Sequence, residues 1–221
     1  SAVGLGAWAM GGGAVWGDTT DDADAIRTIH AALDAGVNLV DTAPCYGFGH
    51  GEEVVGKALK GRRDRVVLAT KCGLVWDEAR GSLHAHFDGK DVYRLLEPAS
   101  IRAEIERSLR RLQTEYIDLY QPHWPAIPPL MTPIADTMGA LMDLKREGKI
   151  RAIGVCNVSA EELREFAAHG ELATDQFRYS MLHREPEEAV LPCCKELGIA
   201  TLTYMTLEQG LLTGKVDMDT V

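Results

Sequence analysis

The sequence predicts an α/β fold, a parallel barrel of the (β/α)8 type, and three observations carry that expectation. Short apolar runs alternate with segments of helical periodicity, several runs end in polar, chemically capable side chains, and the glycine spacing of an open dinucleotide-binding sheet is missing. The runs lie at residues 3–10, 37–41, 66–70, 117–121, 150–155, 173–177 and 199–204. They are brief, rich in Val, Ile and Leu, bounded by turn residues and mostly non-alternating, which reads as buried strands. Strands separated by helices imply right-handed crossovers and a parallel sheet.

The helices follow between them. Residues 21–35 put Ala25, Ile29, Ala32 and Leu33 on one stripe and stop at Gly36, a glycine suited to the position after a helix. Residues 100–112 carry Ile101, Ile105, Leu109 and Leu112 in one row behind Ser100, which is expected as N-cap. Ser159 and Glu162 have capping-box spacing before Leu163 and Phe166. Segments 138–147 and 187–197 close on Gly148 and Gly198, and Glu52 and Glu53 read as the solvated start of a further helix. Gly4, Gly6 and glycines 11–13 lack the GxGxxG spacing that would favour an open doubly wound sheet.

No linker or low-complexity tract divides the chain, so residues 1–221 are expected to form one domain. A (β/α)8 barrel usually takes about 250 residues. The seventh run ends near Tyr204, and no eighth strand follows before Val221. The expectation is therefore seven strands of a longer barrel, lacking the closing strand.

Composition bounds the partners. Against 33 acidic residues stand 23 Lys plus Arg, a net charge of −10, which disfavours nucleic-acid and anionic-membrane surfaces. No run approaches the roughly 18 apolar residues of a membrane helix. Five cysteines, at 45, 72, 156, 193 and 194, include no CxxC pair. That pattern speaks against a disulfide framework or zinc site and for a reducing, cytoplasmic compartment. Oligomeric state has no signature in the sequence.

The strand ends carry the chemistry. Asp41 closes the second run, with Tyr46 five residues later in DTAPCYG; Lys71 closes the third, and His123 the fourth in DLYQPHWP. A Lys and an Asp at the ends of apolar strands are economical as an ion pair at the barrel mouth, whether structural or functional. A neighbouring ammonium would lower the Tyr46 pKa, and an imidazole would share its proton, making Tyr46 a proton donor to a carbonyl oxygen. With no metal-ligand set and no good nucleophile, that chemistry suits carbonyl reduction by a cofactor hydride. A lyase or isomerase using Lys71 as a Schiff-base amine is a rival that would need an uncharged Lys.

At this point the chain resembles the aldo-keto reductases over nearly its whole length. The resembling segments are GLGAW at 4–8, DTAPCYG at 41–47, GEEVVG at 51–56, ATK at 69–71, DLYQPHWP at 118–125, GKIRAIGVCN at 148–157, Gln176 with Tyr179, and GLLTGK at 210–215. The resemblance implies a (β/α)8 barrel, Asp41, Tyr46, Lys71 and His123 as the catalytic tetrad, and NADPH as usual cofactor, NADH remaining open. It further implies bacterial members acting on small aldehydes, ketones, sugars or polyols. Gly6, Ala7, Trp8, Asp41, Cys156, Asn157, Gln176 and Tyr204 match cofactor contacts, with Asn157 and Gln176 on the nicotinamide carboxamide and Tyr204 under its ring. Met205, Leu207, Gln209, Gly210 and Lys215 fall in the segment that covers the pyrophosphate. Three departures stand out: Cys156 in place of the usual Ser, Met205 and Thr206 in place of a small residue and a proline, and Glu208 as a negative charge near the expected phosphates. Trp16, Trp76 and Trp124 either wall the substrate pocket or simply pack. Histidines 30, 50, 84, 86, 169 and 183 read as surface or loop residues, and Cys45 as a candidate reactive thiol beside Tyr46. A catalytically weak nucleotide-binding regulator of the same fold is the alternative function.

Overall fold

The computed structural model describes residues 1–13, 16–17 and 21–216. In chain order its strands are β1 (Gly4–Gly6), β2 (Leu39–Asp41), β3 (Val67–Cys72), β4 (Leu74–Val75), β5 (Ser82–Phe87), β6 (Lys90–Arg94), β7 (Ile117–Pro122), β8 (Ile150–Cys156), β9 (Thr174–Arg178) and β10 (Ala200–Tyr204). The helices are α1 (Asp22–Asp34), α2 (His50–Leu59), α3 (Pro98–Leu112), α4 (Ile134–Arg146), α5 (Ala160–His169) and α6 (Val190–Leu197).

Seven strands form one parallel sheet in the order β1-β2-β3-β7-β8-β9-β10. This is the expected (β/α)8 arrangement with seven strands. Among the described residues no eighth strand joins β10 to β1. Ile29 of α1, Leu68 of β3, Ile105 of α3, Leu141 of α4 and Phe166 of α5 are fully buried between sheet and helices. Each such side chain contributes roughly 1.5–3 kcal/mol of burial.

Helix ends follow local chemistry. Asp21 caps α1 by accepting from the Ala23 amide at 2.9 Å, and the Ser159–Glu162 capping box is present at α5. Four expectations change. The first strand is only three residues long, because Trp8–Gly11 turns into a 3-10 helix. Ser100 is not an N-cap: α3 starts at Pro98, whose missing N–H costs nothing at a helix start, and the Ser100 hydroxyl bonds Glu104 at 3.1 Å. The helices expected at 138–147 and 187–197 run instead Ile134–Arg146 and Val190–Leu197. Glu52 is fully buried, not solvated, because it accepts from Thr70 Oγ1 and Arg111 Nε, both at 2.7 Å.

A second sheet of order β4-β6-β5 is antiparallel and lies between β3 and α3 in sequence. Its turn is the pair Asp88-Gly89, both left-handed with φ 47° and 73°, and Phe87 opposes Lys90. The hairpin tip reaches Gly13, where a Cβ would sit 2.6 Å from the Asp88 carboxylate. The hairpin thereby covers the carboxyl edge of the barrel strands.

Candidate active site

Parallel register brings the ends of β2, β3 and β7 together: Asp41 aligns with Ala69, and Lys71 with Gln121. Lys71 is 1% exposed and its Nζ donates to Asp41 Oδ2 at 2.7 Å, to the Thr42 carbonyl at 3.0 Å and to the Tyr46 hydroxyl at 3.3 Å. Burial opposes the charge on Lys71, but its neighbours together, Asp41 foremost with both its charge and its hydrogen bond, outweigh it and hold the ammonium above its ordinary pKa.

Tyr46 is fixed by its loop. Its carbonyl accepts from Gly51 N at 3.0 Å at the start of α2. Gly47, at φ 62°, lies backbone to backbone against Gly11, where a Cβ would meet the Gly11 carbonyl oxygen at 2.1 Å. No side chain fits there. Trp8 stacks on the phenol ring at 6.0 Å. Burial pushes the Tyr46 pKa up, and the pull of Lys71 does not overcome it. This corrects the expected lowering: buried in the pocket, Tyr46 is a neutral phenol, a donor held beside an ammonium.

His123 meets Tyr46 edge to face at 5.9 Å, and its Nδ1 is 3.5 Å from Cys45 Sγ. Burial, reinforced by Lys71, holds the imidazole well below its ordinary pKa, so it is neutral. Cys45 is pushed up to about 12 by burial. A thiol so protonated is a hydrogen-bond donor, which speaks against Cys45 as a candidate reactive thiol.

All four residues adjoin one cavity of about 570 Å³. Asp41, Tyr46 and His123 line it, and Lys71 lies behind them. Of the expected cofactor residues, Gly6, Trp8, Cys156, Asn157, Gln176, Tyr204, Met205, Leu207, Gln209 and Gly210 also line it. Ala7 and Lys215 do not: Ala7 is fully buried with its amide on the Asp41 carbonyl at 2.8 Å, and Lys215 is exposed. Trp16 and Trp124 face the cavity, whereas Trp76 packs behind it against Phe48 at 5.4 Å.

Side-chain amides line the end near β8–β10. Asn157 Nδ2 donates to the His123 carbonyl at 3.0 Å and to Cys156 Sγ at 3.1 Å, while its Oδ1 accepts from the Tyr204 hydroxyl at 2.7 Å. Cys156 thus takes part in the network as acceptor, and as donor to Gln176 Oε1 at 3.5 Å. Glu208 is not the bare charge expected near phosphates. It is paired with Arg178 and with the Ser180 hydroxyl, and lies outside the cavity lining.

Sequence reasoning missed the wall made by Phe48, Leu74, His84 and Phe87. Its signal was Asp88-Gly89 between two apolar-polar runs, a hairpin pattern. His84 is therefore a half-buried cavity residue and not a surface histidine. His30 and His50 are also engaged, His30 with the Ala58 carbonyl and His50 with Asp22, each at 2.8 Å.

A model of the aldo/keto reductase family matches residues 2–220. The chain belongs to the aldo/keto reductase family. Among curated relatives in the family, it is 49% identical over 222 residues to the NADH-specific methylglyoxal reductase of Escherichia coli (strain K12), covering 100% of this chain and 68% of that protein. It is 50% identical to the aldo-keto reductase YhdN of Bacillus subtilis (strain 168), covering 98% of this chain and 61% of that one. The fold resembles the glycerol dehydrogenase AKR11B4 from Gluconobacter oxydans, with a TM-score of 0.87 and 45% identity, over 100% of this chain and 64% of that one. A Klebsiella pneumoniae aldo-keto reductase in complex with NADPH matches with a TM-score of 0.75 and 33% identity, over 94% and 64%. The chain is thus shorter than these aldo/keto reductases, spanning 61–68% of their lengths.

Proposed function

We propose that this chain carries the reacting end of an NAD(P)H-dependent carbonyl reductase, converting small aldehydes, ketones or sugars to alcohols reversibly, with Tyr46 as general acid. The observation that carries the reading is the convergence on one cavity of Tyr46, braced by Lys71 at 3.3 Å, and the amide set of Asn157 and Gln176.

The residues fit a nicotinamide nucleoside. Asp41 Oδ1 is buried without a hydrogen-bond partner among the described residues, an acceptor for a ribose hydroxyl. Gln176 Nε2 also has no partner among them, leaving a donor at the cavity wall for a carboxamide oxygen. Asn157 and the Tyr204 ring complete that end, and the backbone of Met205, Leu207, Gln209 and Gly210 would meet the phosphates. A reduced nicotinamide supplies the hydride.

The chain's own groups handle the proton. Neutral His123 orients the carbonyl oxygen toward Tyr46, whose hydroxyl donates its proton as negative charge develops there. The Lys71 ammonium stabilises the phenolate left behind, and Asp41 keeps Lys71 charged and in place. That same charge disfavours the Schiff-base rival, which needs a free amine. The NADH-specific relative and the NADPH-bound neighbour support use of either nucleotide in the family. Five free cysteines are in keeping with a reducing cytoplasm.

Oxidation of NADPH and NADH with a panel of small aldehydes and ketones tests the reading. Tyr46→Phe should lose about 10²–10⁴-fold in rate while still binding nucleotide. Full rate in that variant would sink the mechanism. Nucleotide binding with no carbonyl reduced would favour the regulatory alternative.

A further inference from the structure

The antiparallel hairpin places His84 of β5 in the cavity wall, with Asp88 of its turn, and the proton relay makes no use of that imidazole. Its ring is braced. Arg94 on β6, which pairs with Ser82 two residues earlier on β5, donates from Nε to His84 Nδ1 at 3.0 Å. Trp124 packs against the imidazole with ring centroids 5.4 Å apart. Arg94 is itself pinned: Nη1 donates to the Pro125 carbonyl at 3.0 Å, and the guanidinium lies 4.9 Å over the Trp124 ring. Trp124 and Pro125 directly follow His123, so the hairpin is tied to the segment that presents the carbonyl-orienting imidazole.

This bracing sets the tautomer. A guanidinium only donates, so His84 Nδ1 must accept and carry no proton. Burial, with Arg94 adding to it, holds the imidazole down to about 4, so the ring is neutral near neutral pH. The single ring proton then resides on Nε2, and that atom has no hydrogen-bond partner among the described residues. A half-buried donor held in one orientation has a clear use in a cavity that His84 lines together with His123 and with the apolar side chains of Phe48, Leu74, Phe87 and Trp124.

We propose that His84 is a specificity-determining residue whose Nε2–H donates to an oxygen on the carbon next to the reacting carbonyl. The site then takes hydroxyaldehydes, hydroxyketones and 2-oxoaldehydes in preference to unsubstituted carbonyls of the same size. The assignment rests on the carbonyl-reduction reading above. A substrate with a methyl group in place of that oxygen leaves the donor unpaired, and the lost hydrogen bond corresponds to about tenfold in kcat/KM.

The test compares glycolaldehyde with propanal, which differ by a hydroxyl in place of a methyl. His84→Phe keeps an aromatic ring against Trp124 and removes the donor. His84→Gln keeps an acceptor for Arg94 and a donor for the substrate. The expected result is a fall of about tenfold in kcat/KM for glycolaldehyde with His84→Phe, less than about threefold for propanal, and retention of most of the preference with His84→Gln. Equal losses on both substrates, or no loss on either, would overturn the assignment and leave carbonyl reduction standing. If the unaltered protein reduced neither aldehyde, the carbonyl-reduction reading would fall and the assignment with it.

Discussion

Asn157 donates from Nδ2 to the backbone carbonyl of His123 at 3.0 Å, so a residue at the proposed nicotinamide end holds the segment at the substrate end. Its Oδ1 takes the Tyr204 hydroxyl at 2.7 Å, joining the ends of β7, β8 and β10 through one amide. The backbone there is left-handed, φ 59°, a conformation Asn tolerates and Ala does not. Asn157→Ala should therefore raise KM for nucleotide and lower kcat, with a melting temperature below that of Asn157→Gly by the equivalent of about 1–2 kcal/mol. The Gly variant loses the same bonds without the backbone strain. Equal melting temperatures in the two variants would contradict this account.

Lys71 and Asp41 form a pair whose members cannot be removed one at a time. Lys71→Met leaves Asp41 with both carboxylate oxygens unpartnered in a site where its side chain is only 17% exposed. Breaking a buried pair this way costs about 3–5 kcal/mol. The double variant Asp41→Asn/Lys71→Met should recover much of that stability in urea unfolding while remaining without carbonyl reduction. A double variant no more stable than the single one would show that the charge imbalance is not the source of the loss.

A neutral His123 has a pH consequence. Burial and the nearby Lys71 hold its pKa well below 6.5, so kcat should stay flat from about pH 7 down to about pH 6, where an ordinary histidine would titrate. An acid limb in that window that disappears in His123→Asn would mean that the imidazole gains a proton during turnover.

Much of this site was legible because it depends on strand ends. Asp41, Lys71 and His123 each close an apolar run, and a parallel barrel brings such ends to one face whatever the details of packing. Glu52 was not legible: its sequence context is that of any solvated first turn, and its burial depends on Arg111, 59 residues away. The Tyr46 shift had its sign reversed for a related reason. The opposing charge can be read from sequence, but the burial that outweighs it is a property of the folded cavity wall. His84 required recognition of the hairpin, since only strand pairing brings Arg94 onto its Nδ1. The first apolar run is longer in sequence than its strand because Trp8 and Met10 are apolar, yet both lie in the 3-10 turn, where Trp8 stacks on Tyr46.

Asp175 on β9 gives the last expectation, on stability. Its side chain is fully buried, Oδ1 has no partner among the described residues, and Oδ2 accepts from Cys194 Sγ at a long 3.9 Å. Burial raises the carboxyl from 3.8 to about 7, against weaker opposing hydrogen bonds from Cys194 and the Gln176 backbone. A folded-state pKa above the unfolded value means that the folded protein binds the proton more tightly. The contribution to stability is then full below about pH 4, falls as pH rises through the interval between the two values, and is gone above about pH 7. Asn never ionises, so Asp175→Asn should exceed the unaltered protein in stability at pH 8 by on the order of 4 kcal/mol, a gap that narrows toward zero near pH 4. Urea midpoints measured at both pH values check this. A gap independent of pH would mean that the carboxyl finds a partner in solution and ionises without penalty.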